Sequence, residues 1–492
     1  MENQHENLEN NQKIQIIKEK KTNWSSIFVA TILAFTVGIV ATYFALQNNQ
    51  NALTRKIGDD SFDEFLTVFQ ELQTNHYFFD EENDLIRGAI NGMIAATGDN
   101  YSNFFTASDF NQAMGHLRES FYGIGAEVAV INGNATIVSP MLGSPAENAG
   151  VLPGDVILSV DSVDVRDENL NEVIDRIRGP YGTEVTLGIL RSGVDMIEIT
   201  ITRGRIINET VTTDVFVRNG QTIGYIRVST FGEATLSAFQ DAIDELEAMN
   251  IDGLIVDLRN NSGGYLHIVN GMVSYVLPSG LPITSAVDRH GNLTTHYTRG
   301  NSDSRLDVEI ITLINGGSAS ASEIFAAAMR ESGGFEVMGT TSFGKGTVQQ
   351  PRPISADSVL QLTIQAWLTP HGHLIQDYGV EPTITVEPGE LINILQVHLG
   401  DEEVLRYDMV HNGVLNAQRT LAALGFNLDR TDGYFDESTV LAVRAFQAEH
   451  DLLETGEIDG LTATAISMAL RQLIRNPDYD QQIQAAIDWF TN

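Results

Sequence analysis

The chain has 492 residues, an apolar fraction of 42%, a net charge of −36 and no cysteine. That length is too great for one core, so two or more domains are expected. The missing cysteine excludes a disulfide framework, thiolate-held zinc and a thiol nucleophile, and the acidic balance argues against binding nucleic acid through its phosphates. Such a charge also repels anionic lipid and suits solubility at an alkaline or saline exterior. Residues 24–46 then form an uncharged run of 23 residues, flanked inside by Trp24 and Tyr43. As a helix it rises about 34 Å, enough to cross a hydrocarbon core of about 30 Å. Lys13, Lys18, Lys20 and Lys21 precede it, and Arg55 and Lys56 follow. The positive-inside rule places residues 1–23 in the cytoplasm and the rest outside. The run is long for a cleaved signal peptide and lacks a clear small-x-small site, so a retained anchor is expected. Polar residues 47–58 read as a tether.

The exterior part opens with a helical segment, 59–118. Ser61-x-x-Glu64 is a capping-box pattern, and Phe62, Phe65, Leu66, Phe69 and Leu72 follow at helical spacing. A second helix is expected over 84–96. Both are expected to pack on the body, and neither carries evident chemistry.

Over 119–204 the pattern turns to short strands and turns, with a helix at 170–178. The runs Gly123-Ile124-Gly125-Ala126 and Ser144-Pro145-Ala146 through Gly154-Asp155 make this module resemble a PDZ domain. In that reading glycines let consecutive backbone N–H groups of residues 123–126 approach a peptide carboxylate. The strand from Glu127 to Val130 then accepts an extended peptide by β-addition.

From 205 to 395 strands alternate with helices: strands at 223–231, 253–258 and 310–314, helices at 236–249, 267–276 and 319–331. This pattern predicts an α/β core with both sheet faces covered. Three stretches carry chemistry: DLRNNSGG at 257–264, NGGSASASEIFAAAM at 315–329 and SFGKGTVQQ at 342–350. Ser320 falls where a helix N-terminus favours developing negative charge. Ser320-x-x-Glu323 is equally a capping box. A serine nucleophile needs a base. These stretches hold neither histidine nor a GxSxG elbow. Lys345, between two glycines, serves if burial lowers its pKa.

Together these stretches resemble the carboxyl-terminal processing peptidases, or tail-specific serine proteases, over about residues 60–390. DLIRGAINGMIAATGDNYS and LTPHGHLIQDYGVEP belong to the match. The resemblance implies that Ser320 is the nucleophile, Lys345 its base and Gln349, one helical turn later, the residue orienting the lysine. It also implies an oxyanion hole from the N–H groups of Ala321 and Gly264, a gating arginine for which Arg178 is the candidate, and no metal or cofactor. Asn100, Ser262 and His373 depart from the family pattern. His371 and His373 read as loop residues, because two ligands without a third make no metal site.

Residues 408–473 resemble a three-helix peptidoglycan-binding-type domain. The match runs through Leu415, Gln418, Leu421, Leu424-Gly425-Phe426, Asp432-Gly433-Tyr434-Phe435, Val443, Phe446-Gln447 and Asp459. The expected fold is thus multidomain α/β: a transmembrane anchor, a PDZ β-barrel-like module, an α/β serine protease core and a helical wall-binding-like domain. The expected activity is endopeptidase cleavage of extracytoplasmic proteins near free apolar C-termini at a bacterial cell membrane. Peptidoglycan is a candidate partner, nucleic acid is not, and the resemblance leaves a homodimer open. A scaffold on an inert fold disagrees with the intact Ser320, Lys345 and Gln349. A cell-wall hydrolase disagrees with the lack of HExxH or another recognisable zinc set.

Overall fold

A computed structural model describes residues 59–78, 84–131, 133–141, 143–191, 195–300, 307–399 and 403–491. The expected anchor at 24–46 and its flanks, 1–23 and 47–58, lie outside the described residues. Among those described, no helix is long and apolar enough to cross a membrane.

The two early helices form as expected, α1 (Asp59–Asn75) and α2 (Leu85–Ala95). Of the described residues, those up to Met93 make a unit of their own, and those from Ile94 on make a second. The second unit opens with β1 (Asn103–Thr106), α3 (Ala107–Ala113) and β2 (Ser120–Gly123). The PDZ-like module follows with β3 (Ala126–Ile131), β4 (Asn134–Pro140), α4 (Pro145–Asn148), β5 (Val156–Val160), β6 (Val163–Asp164), α5 (Leu170–Ile177), β7 (Glu184–Arg191), β8 (Asp195–Thr202) and β9 (Gly204–Ile207). Its sheet runs β3-β4-β5-β7-β8, with β6 on β5, and β9 closes back on β2. Ile137, Ile157, Val173, Leu187 and Ile189 fill its core. Asn169 and Glu172 form the capping box that starts α5.

The central body contains β10 (Val211–Arg218), β11 (Gln221–Val228), α6 (Thr235–Ala248), β12 (Gly253–Asp257), α7 (Leu266–Val276), β13 (Pro282–Asp288), β14 (Leu293–Tyr297), β15 (Glu309–Ile314), α8 (Ala321–Glu331), β16 (Glu336–Gly339), β17 (Thr347–Pro353), β18 (Ser358–Leu368) and β19 (Ile384–Thr385). Its main sheet has the order β10-β11-β12-β15-β16-β19, parallel except for the antiparallel edge β10. Every residue of β12 is buried, as a strand covered on both faces requires. On one face lie α6, α7 and α8, through Phe239, Ile243, Met272, Phe325 and Met329.

The opposite face is closed from far along the chain. After α9 (Asn412–Ala423), α10 (Glu437–Glu449) and α11 (Gly460–Arg475), the helix α12 (Gln481–Thr491) returns to the main sheet. Ile483, Ala486 and Ile487 pack on Ile223, Ile255, Ile311, Leu313 and Met338. Phe490 presses so close to Gly253 that a Cβ there would lie 2.5 Å from its ring. The helical domain itself is centred on Val414, Leu421, Phe435, Phe446 and Ile466. The expected helical segment 59–118 also contributes a strand: β1 pairs with β18 in a second sheet, β1-β18-β13-β14 with β17 on β18. Past residue 473, α12 covers the main sheet.

Candidate active site

Three loops meet at the carboxyl ends of β12, β15 and β16, the end of an open parallel sheet where side chains are free to converge. Loop 258–264 is laced to loop 315–322. Asn260 N–H donates to Asn315 Oδ1 at 2.9 Å, and Asn315 Nδ2 donates back to Asn260 Oδ1 at 3.1 Å. Ser318 and Ser322 hydroxyls donate to the carbonyls of Leu258 and Asn261, both at 2.8 Å. Asn261 Nδ2 reaches the Val228 carbonyl at 2.8 Å while its Oδ1 accepts from Gly263 N–H at 2.9 Å. Phe343 N–H brings in the third loop by donating to Ser318 O at 2.9 Å.

Ser320 is the N-cap of α8, with φ 54° and ψ −111°. A non-glycine residue held there stores backbone strain, which concentrates at functional sites. A sharp strand-to-helix turn thus exists without the GxSxG signature. Gly263 packs against the serine: a Cβ on it would lie 2.9 Å from Ser320 Cβ. Gly264, at φ 149°, faces Phe231, whose N–H donates to Gly263 O and whose carbonyl accepts from Tyr265 N–H. In such a parallel bridge the N–H of the middle residue points away. Neither Gly264 N–H nor Ala321 N–H donates to a backbone acceptor.

Glu323 is the residue that the sequence reading left as a cap. It does cap, since its Oε2 accepts from Ser320 N–H at 2.7 Å. The same oxygen accepts from Lys345 N–H at 2.9 Å, and Oε1 accepts from Ser342 Oγ at 2.6 Å and Gly344 N–H at 2.7 Å. One fully buried carboxylate therefore ties the backbone of Ser320 to the backbone of Lys345. Burial raises its pKa against the pull of those four donors. Lys345 is held below the ordinary lysine range by burial, opposed by the charge of Glu323. Its Nζ lies 5.1 Å from the centre of the Tyr101 ring. Tyr101 was legible only as part of GDNYS, whose Asp99 fixes it by accepting from its N–H at 3.0 Å. The loop 369–380 closes over the lysine turn: Gly346 N–H donates to Gln376 Oε1 at 3.0 Å, and Asp377 N–H to Gly344 O at 2.9 Å.

Gln349 is not one helical turn beyond the lysine. It lies on β17, at a register shift between Val348 and Gln349, and its Nε2 donates to the hydroxyls of Thr347 at 2.8 Å and Thr363 at 3.4 Å. No hydrogen bond joins it to Lys345. His371 and His373 flank Glu331, with Nδ1 atoms at 3.7 and 3.6 Å from its carboxylate.

In the PDZ-like module, residues Gly123, Ile124, Gly125 and Ala126 link β2 to β3. The Ile124 and Gly125 carbonyls accept from Ala146 and Met141 N–H groups, whereas their own N–H groups donate to no backbone acceptor. Gly125 has φ 73° and a Cβ there would fall 2.6 Å from Ser144 Cβ, so only glycine fits. Arg178 caps α5 with its guanidinium 5.0 Å above the Phe121 ring, beside this turn. On β3, an edge strand paired only with β4, Glu127 forms a two-pronged ion pair with Arg475 at the end of α11 (2.6 and 3.0 Å).

Comparison with known proteins agrees with this division. The family model for peptidase family S41 matches residues 222–386, that for the PDZ domain residues 136–191, and that for a peptidoglycan binding domain residues 410–466. The carboxy-terminal processing protease CtpB of Bacillus subtilis (strain 168) is 37% identical over 419 residues, 85% of this chain and 86% of that protein. CtpA of the same organism is 32% identical over 465 residues, 94% of this chain and 97% of that protein. The solved photosystem II D1 C-terminal processing protease shares 26% identity and a TM-score of 0.42, covering 65% of this chain and 86% of that one. The chain belongs to peptidase family S41, as a carboxy-terminal processing serine protease that carries a PDZ domain and a peptidoglycan-binding-type domain.

Proposed function

We propose that Ser320 and Lys345 form the catalytic dyad of an acyl-transfer hydrolysis. The observation that carries this is the Glu323 bridge, which joins the two residues' backbones and leaves a half-buried lysine with a depressed pKa beside a strained serine. Neutral Lys345 takes the proton of Ser320 as the hydroxyl oxygen attacks the scissile carbonyl. The oxyanion is held by the N–H groups of Ala321 and Gly264; one such donor contributes about 3 kcal/mol in comparable sites. Protonated Lys345 gives its proton to the leaving amine, and water hydrolyses the acyl-enzyme by the reverse path. Gln349, with its carbonyl oxygen turned from the two threonines, orients the lysine once substrate is in place.

The PDZ domain captures the free carboxylate of the substrate at Gly123–Ala126 and pairs the adjoining chain with β3. Arg178, stacked on Phe121 next to that turn, signals occupancy to the protease. Substrates are extracytoplasmic proteins with apolar C-termini, met by an enzyme anchored through residues 24–46. Peptidoglycan is the partner of the helical domain.

The test uses residues 48–492 with an unfolded protein ending in apolar residues, followed by mass spectrometry. Wild type cuts near the C-terminus, and Ser320→Ala and Lys345→Ala do not, with unchanged circular dichroism. Equal cutting by wild type and Ser320→Ala would overturn the dyad.

A further inference from the structure

The loop 258–264 presents Gly264 N–H to the site, yet it has no regular structure. Asn260, Gly263 and Gly264 all have positive φ, at 59°, 108° and 149°. Its shape therefore depends on what grips it. One grip is the lacing to loop 315–322. The other lies at Arg259, which turns away from the serine.

Arg259 is half-buried between two carboxylates. Its Nε and Nη2 donate to the two oxygens of Asp257 at 2.9 and 2.6 Å. Its Nη1 donates to Asp480 Oδ1 at 2.9 Å and Gln482 Oε1 at 2.8 Å, and its Nη2 lies 2.9 Å from Asp480 Oδ2. Asp257 is anchored in turn by the Tyr225 hydroxyl at 2.8 Å. Asp480 opens α12, with its Oδ1 accepting from Gln482 N–H at 3.0 Å and Ile483 N–H at 3.1 Å. Gln482 Nε2 donates to Val386 O at 2.7 Å, beside β19. The start of α12 is thus bolted to the sheet on one side and to the loop on the other. Planar, two-pronged pairing of this kind fixes direction as well as distance.

We propose that Asp480 and Gln482 are positioning residues for the hydrolysis: by fixing Arg259 they fix loop 258–264, and with it the Gly264 N–H, although neither touches substrate. The proposal rests on the reading of Gly264 as an oxyanion donor. An oxyanion donor works only within about 2.7–3.1 Å of the developing charge, and a displacement of about 1 Å made from a distance can cost about 100-fold in rate. Loss of Asp480 does not strand a buried charge, because Arg259 keeps Asp257. The fold therefore survives the test.

Asp480→Ser keeps a helix-capping oxygen but is too short to reach Arg259. It is expected to lower kcat about 10- to 100-fold with KM within about twofold, the signature of an interaction that matters in the transition state alone. Asp480→Asn, whose carbonyl oxygen still accepts from Arg259, recovers most of the loss. A peptidyl boronate, which places an oxygen in the oxyanion position, loses affinity by the same factor as kcat/KM, while binding of the uncleaved peptide to Ser320→Ala is unmoved. Asp488→Ala is the control, since it cuts another tie of α12, to Arg218 at 2.5 Å, without touching the loop. Full kcat in Asp480→Ser, an unchanged boronate affinity, or an equal loss in Asp488→Ala would each overturn the proposal. If Ser320→Ala is inactive and Asp480→Ser is not impaired, this inference alone fails; if Ser320→Ala still cuts, the dyad fails first.

Discussion

Lys345 and Glu323 pull on one another through the protonation of the lysine. Burial lowers the lysine's pKa, and the carboxylate raises it again. Only neutral Lys345 accepts a proton, so kcat/KM is expected to fall as pH drops through its pKa, with an acid limb below the ordinary lysine range. A pH–rate profile of Glu323→Gln should show that limb at lower pH, together with a kcat about 10-fold smaller from the disturbed turn. Stability follows the same sign. The folded state holds the Lys345 proton less tightly than the unfolded state, so between the two pKa values stability rises with pH. Below the ordinary lysine range burial of this side chain therefore weakens the fold, and Lys345→Met should melt about 2 °C higher than wild type at neutral pH while cutting nothing. At this scale the flanking motifs singled out Ser320 and Lys345, whose backbones the Glu323 carboxylate joins. The sequence concealed the second duty of Glu323, because the same three-residue spacing after Ser320 is what any capped helix shows. Burial of a carboxylate inside an alanine-rich helix is a property of the packing around α8, not of its pattern.

The turn Gly123–Ala126 of the PDZ domain, proposed to hold the substrate carboxylate, makes a prediction about an element. Gly125→Ala puts a Cβ against Ser144 and Ile206 at a left-handed backbone position. It should weaken binding of a free-C-terminus peptide by about 10-fold or more and lower the melting temperature of the module, since strain there costs on the order of 1–3 kcal/mol. Isothermal titration with the peptide and its amide separates the carboxylate's share. Elements with one wet and one dry face, or with two dry faces, were legible in the sequence: α6, α7, β12 and β15 fall within a few residues of their expected places. The second sheet was not. Residues of β18 are mostly half-buried, so neither alternation nor a continuous apolar run marks it. The placing of Gln349 one helical turn past the lysine came from the resemblance alone, and β17, exposed along much of its length, carries no strand pattern that would have opposed it. In α12 the apolar residues Ile483, Ala486, Ile487 and Phe490 do carry helical spacing. What spacing cannot say is which surface they cover.

Across the whole molecule the catalytic sheet is a joint product of distant segments. Ile487→Ala should cost about 2–5 kcal/mol, as truncating a fully buried side chain in a packed cluster does. Chemical denaturation would read that cost, and the exposed sheet face should bind a hydrophobic dye. The order of the domains was visible in their motifs. Their interleaving was not, because pairing of β1 with β18 and of Arg259 with Asp480 joins residues hundreds of positions apart.

The interleaving changes how the helical domain must be removed by anyone who wishes to learn its role. The chain leaves the catalytic sheet at β19 and comes back to it in α12, so the domain is spliced into the protease and not hung from its end. A stop codon after residue 395 would take α12 with it, expose Ile223, Ile255, Ile311, Leu313 and Met338 to water, and free Arg259 from Asp480. The resulting inactive, aggregating protein would be mistaken for proof that wall binding drives proteolysis. Cutting out residues 397–475 and rejoining the ends through a short glycine-serine bridge leaves both the sheet cover and the loop tie in place. Proteolysis that persists after that excision would assign the domain to location alone.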